Sequence, residues 1–98
     1  MTVTGSISGA VTDPSGQMVP GAAVSIRSLN TGETKSATTN DTGAFSFVAV
    51  PPETYTLKVE RQGFKTFERT NLVVSANERV AVGDIQLEVG QVSDTVTV

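Results

Sequence analysis

Turn signals recur along this chain at intervals of about eight to twelve residues, and no other feature restricts its fold as much. They are Asp13-Pro14-Ser15-Gly16, Pro20-Gly21, Asn30-Thr31-Gly32, Asn40-Asp41-Thr42-Gly43, Pro51-Pro52, Gln62-Gly63 and Ala76-Asn77-Glu78. Between them lie short segments rich in Val, Ile, Thr and Phe. Strands fit between such turns, whereas helices of useful length do not. No window repeats its apolar residues every 3.6 positions, so essentially no helix is expected. The spacing predicts an all-β sandwich or barrel, and the form expected is a seven-stranded antiparallel β-sandwich with Greek-key connections.

Alternation assigns each strand its inward face, because side chains along an extended chain point to opposite sides in turn. Ile7, Gly9 and Val11 share one face, with Ser6 and Ser8 on the other. Ala22, Val24 and Ile26 point in, while Ser25 and Arg27 point out. "GETKSATT" is polar throughout and reads as an edge strand, with Lys35 discouraging pairing with another molecule. Phe45 and Phe47 share a face, as do Tyr55, Leu57 and Val59.

In "VAVGDIQLE" the parity flips, with Val80 and Val82 at even positions and Ile85 and Leu87 at odd ones. A β-bulge at Gly83 would keep both pairs facing the core, and a strand crossing between sheets would serve equally. The expected core is Ile7, Val11, Val24, Ile26, Phe45, Phe47, Tyr55, Leu57, Val59, Phe67, Leu72, Val82, Ile85 and Leu87. Each large member contributes on the order of 1.5–3 kcal/mol when buried.

Composition narrows the function. The 98 residues make one small domain, and a chain of that size buries only about 60–65% of its unfolded surface. Residues 1–90 are assigned to the sandwich and 91–98 to an extended tail. A net charge of −3 and seven scattered basic residues argue against a nucleic-acid partner. Without cysteine there is no disulfide framework or thiolate metal site, and the redox compartment stays open. Without histidine there is no Ser-His-Asp triad, no HExxH zinc site and no His general base.

Asp13, Asn40, Asp41 and Asp84 lie near turns, but no calcium-loop motif joins them, and they read as solvated or capping groups. Lys35, Lys58 and Lys65 fall on outward or edge positions, unsuited to a buried isopeptide crosslink. The five aromatics are assigned to the core, leaving no platform for a sugar ring. The expectation is a non-enzyme with no catalytic residue, cofactor, metal or small-molecule substrate. No run reaches the roughly 18 apolar residues that span a bilayer. "MTVTGSISGA" lacks the character of a signal peptide, so an exported domain would be read here as an excised piece.

"SGAVTDPSGQMVPGAAVSI" and "TTNDTGAFSFVAVPPETYTLKVERQGFK" resemble the carboxypeptidase regulatory-like domain, a transthyretin-like (prealbumin-like) β-sandwich. Gly9, Val11 and Asp13 match its first element; Gly21, Ala22 and Val24 match its second. Asn40, Gly43 and Phe45 match the third, Pro51 or Pro52 with Tyr55 the fourth, and Gly63 with Phe64 the last. Most of these have structural explanations in turn geometry, Asx-turns and a buried tyrosine ring with a tethered hydroxyl. Glu53 stands where the family usually has glycine, so a locally different turn is expected.

Such domains stand beside metallocarboxypeptidase domains, in surface stalks, and as N-terminal extensions of TonB-dependent outer-membrane transporters. Asp94, Thr95, Val96, Thr97 and Val98 look like a TonB box. The resemblance implies a domain at the periplasmic face of the bacterial outer membrane, whose tail pairs with the C-terminal domain of TonB by strand addition. Other domains of the parent protein are further expected partners. The plainer reading of the tail is a final strand or linker. An extracellular stalk or adhesin module, or an accessory domain of a secreted peptidase, are the alternative contexts.

Overall fold

The computed structural model describes residues 4–90, and these form seven strands and no helix. In chain order they are β1 (Gly5–Thr12), β2 (Ala23–Ser28), β3 (Thr34–Thr38), β4 (Ala44–Val50), β5 (Thr54–Glu60), β6 (Phe67–Val73) and β7 (Arg79–Gln86). They pair into a three-stranded sheet of order β4-β1-β7 and a four-stranded sheet of order β3-β2-β5-β6. The two layers enclose one apolar core, as a small domain of one-faced strands requires.

One expectation needs correcting. The sandwich is not wholly antiparallel, because β1 and β7 run side by side in the same direction, from Ser6↔Arg79 to Thr12↔Gln86. Alternating polarity reports which face of a strand is buried and carries no information about direction. Direction is set by the connection. The chain leaves β6 in the four-stranded sheet and passes through residues 74–78 to the other layer, where β7 lies along the free side of β1. The remaining pairs are antiparallel.

Twelve of the expected core residues are buried, while Phe67 and Val82 pack at its rim, only partly covered. Ile7, Val11, Val24, Ile26, Leu57 and Val59 are fully buried. Phe45 and Phe47 meet edge to face with ring centroids 6.1 Å apart, a favoured aromatic geometry. Three buried valines were not foreseen, namely Val19, Val50 and Val74.

Bulges account for two of them. In β4, Gly5 pairs with Val50 and Ile7 with Phe47, so Val48 and Ala49 both face Ser6 and the inward parity shifts by one. In β6, Tyr55 pairs with Leu72 and Leu57 with Arg69, which shifts the parity again and turns Leu72 and Val74 inward. Ala49 and Asn71 carry the distortion with φ of 54° and 59°. Val19 lies outside any strand, held where the Thr39 hydroxyl donates to its carbonyl at 2.7 Å.

The flip in β7 is a bulge. Ser8 pairs with Ala81 and Gly9 with Gly83, leaving Val82 as the extra residue and Gly83 at a φ of +74°. Glycine adopts that left-handed backbone at no steric cost, whereas a residue with a Cβ takes it only with local strain. Gly9 is required opposite it, because a Cβ there would lie 2.4 Å from a Val82 methyl and 2.9 Å from the Phe45 ring.

Candidate functional site

The family-like positions resolve into turns and clasps. The Asp13 carboxylate accepts from the Ser15 amide at 2.9 Å, the Ser15 hydroxyl at 2.7 Å and the Gln17 amide at 2.9 Å. The Ser15 hydroxyl, then the backbone amides, hold this carboxyl below its ordinary pKa. Gly43 is buried where a Cβ would lie 2.8 Å from the Val11 carbonyl. Gly21 takes a left-handed backbone in the turn before β2. Each of these residues shapes a turn or lets two strands approach.

Pro51 and Pro52 lead into β5, where the buried Tyr55 donates its hydroxyl to the Pro51 carbonyl at 2.7 Å. Burial, then the charges of Glu53 and Glu33, push the phenol pKa up. Glu53 is not among the left-handed residues, so its turn forms without the glycine backbone. Its carboxylate instead accepts the buried Ser28 hydroxyl and ties the β2–β3 turn to the β4–β5 turn.

Gly63 and Phe64 have a role beyond the turn they form. The Gly63 carbonyl accepts from the Gly90 amide at 3.2 Å, and the Lys65 amide donates to the Glu88 carbonyl at 2.8 Å. Phe64 bridges to Val89, with its own side chain half-buried against the core. The segment after β7 is therefore clasped to the β5–β6 loop up to Gly90. The TonB-box-like residues Asp94, Thr95, Val96, Thr97 and Val98 lie outside the described residues.

A concavity of about 660 Å³ lies on the outer face of the four-stranded sheet beneath the β2–β3 turn. Ser25, Arg27, Thr34, Thr56, Lys58 and Glu68 are among its polar lining, and no aromatic borders it. Of the five aromatics, Phe45, Phe47 and Tyr55 are buried, and Phe64 and Phe67 pack against the core. Among the described residues, no three of His, Cys, Asp and Glu gather where they could hold a metal ion.

Each sheet edge is blunted. Bulges interrupt β4, β6 and β7 at Val48–Ala49, Thr70–Asn71 and Val82–Gly83. The fourth edge, β3, is short and has the half-buried Lys35 on the same face as Ala37. Bulges and inward-leaning charges are the devices by which sandwiches resist edge-to-edge pairing. The sequence signalled Lys35 and Gly83; the other two bulges had no glycine to mark them.

Two layers, blunt edges and turn-forming motif residues define a class of small β-sandwich modules. Residues 6–88 match the carboxypeptidase regulatory-like domain, and the chain belongs to that family.

Solved structures share the fold. One is a candidate carbohydrate-binding protein of Bacteroides uniformis, with TM-score 0.69, 24% identity, and coverage of 87% of this chain and 41% of that one. Another is a type II cohesin–X-dockerin complex of Acetivibrio cellulolyticus, with TM-score 0.66, 23% identity, and coverage of 94% and 62%. A third is a minor pilin of Streptococcus agalactiae, with TM-score 0.68, 15% identity, and coverage of 100% and 50%. The chain thus spans between two fifths and two thirds of these structures' lengths. No curated protein sequence matches it.

Proposed function

We propose that the domain is a non-catalytic accessory module, the periplasmic N-terminal extension of a TonB-dependent outer-membrane receptor. Residues 1–90 form the module, with the transthyretin-like, Greek-key path that the family implies, and residues 91–98 form the tail. The TonB C-terminal domain engages Asp94–Val98 by strand addition, in which backbone hydrogen bonds supply affinity and alternate side chains supply selectivity. Thr and Val suit this because branching at Cβ favours extended backbone.

The observation that carries this reading is the contrast between blunted edges and a clasped exit. All four sheet edges carry a feature that opposes strand pairing, while the chain is held firmly up to Gly90, just before the β-prone tail. A pull-down with the TonB C-terminal domain tests it, comparing residues 1–98 with a chain ending at Gln91. Capture by the longer chain alone is expected. Equal capture, or none by either, rejects the box.

A second reading is favoured by the likeness in fold to a pilin and to a cohesin–X-dockerin complex: a structural stalk or adhesin module of an extracellular multidomain protein. Sequence of the parent gene beyond Val98 separates the two, by encoding either a plug and barrel or further sandwich modules.

A further inference from the structure

The first and last strands are neighbours and run the same way. β1 and β7 pair in parallel through seven Cα partners, with the bulge between Ser8↔Ala81 and Gly9↔Gly83. The chain therefore enters β1 at the end where β7 begins, and leaves β7 at the end where β1 finishes. Tension applied through Thr4 and Gly90 pulls the two strands past each other along their length. In that direction all the hydrogen bonds of a parallel ladder are loaded together. Had the terminal strands been antiparallel, the same tension would have opened the ladder one bond at a time from one end.

Both ends of the ladder are reinforced. At the entry, the Ser6 amide donates to the Glu78 carbonyl at 2.9 Å and the Asn77 amide to the Thr4 carbonyl at 3.2 Å. At the exit, the Leu87 amide donates to the Thr12 carbonyl at 2.8 Å, ahead of the clasp on Gly63 and Lys65. Ile7, Val11, Ile85 and Leu87 are buried beneath the ladder and shield one of its faces from water. The bulge pins the register. Sliding would carry another residue into the left-handed position of Gly83 and a Cβ into the space that Gly9 leaves open.

We propose that the domain is a load-bearing element, in which the β1–β7 ladder acts as a shear clamp against tension along the chain. The clamp does not rest on the receptor reading. It serves equally in a stalk under pull and in an extension through which force is transmitted, and its failure would leave the pull-down result untouched.

Single-molecule force spectroscopy tests it by changing only the direction of pull. The chain has no cysteine, so Ala76→Cys, in an exposed turn beside Thr4, supplies a unique attachment point. Pulling between the N-terminus and residue 76 peels β1 from β7 starting at Ser6↔Arg79, whereas pulling between the two termini shears them. Ser75→Cys gives the same geometry should the first variant not fold. At one loading rate, the unfolding force between the termini is expected to be several-fold higher than in the peeling geometry. Equal forces, or a lower force between the termini, would overturn the clamp.

Discussion

Asp13 and Asn40 build the same turn twice. Asn40 Oδ1 accepts from the Thr42 amide at 3.0 Å, the Thr42 hydroxyl at 2.8 Å and the Ala44 amide at 3.0 Å, repeating the three contacts of Asp13 Oδ1. In both, the glycine three residues on donates its amide to the carbonyl of the Asx residue, at 2.9 Å for Gly16 and 2.8 Å for Gly43. One turn uses an ionisable acceptor and the other its neutral counterpart, which gives the domain an internal control.

Asp13→Asn should therefore keep the fold and remove part of its acid sensitivity. The carboxyl titrates lower in the folded chain than in the unfolded one. Its stabilisation is complete above the unfolded value of about 3.9 and is lost as pH falls through the lower folded value. Thermal melts of both proteins at neutral pH and in acid below that unfolded value should show the smaller drop for the variant. An unchanged drop would mean that the carboxylate contributes nothing.

Tyr55→Phe removes the bond to the Pro51 carbonyl while keeping the buried ring, and should cost about 1 kcal/mol in denaturant unfolding. It should also alter the alkaline limb. Because burial raises the folded phenol's pKa, the unfolded chain ionises first, and stability declines as pH rises past about 10. The variant should decline less steeply over that range. Parallel alkaline curves for the two proteins would rule this account out.

Gly9→Ala tests the bulge. The added methyl meets Val82, Phe45 and the Gly83 carbonyl, the last at 3.0 Å. Overpacking of this kind costs about 1–3 kcal/mol. The loss should appear as a lower urea midpoint with little change in slope. A midpoint within error of the parent would show that the edge strand yields freely, and would weaken the register lock in the shear clamp as well.

Alternation in the sequence identified the inward faces of β1, β2, β4 and β5 because a strand's two-residue period is local. It lost Val50 and Val74 because a bulge adds one residue and reverses everything after it. In β7 the glycine marked where the parity flips, leaving a bulge and a crossing strand equally open, whereas Ala49 and Asn71 take the same left-handed backbone without that marker. Gly63 and Phe64 were legible as a turn. Their second task, clasping Val89 and Gly90, joins residues more than twenty positions apart and leaves no local trace.

Cysteine and histidine chemistry is excluded by composition, and the helix-free, strand-and-turn character of residues 4–90 was legible before any fold was known. Turn residues, side-chain period and composition act over a few bonds and can be read from neighbours. That β1 and β7 lie parallel, that β4 and β6 are bulged, and that the exit is clasped emerged from the folded arrangement alone. Those features depend on how distant segments share one core and on the path by which the chain crosses between its two sheets. No local pattern encodes that path.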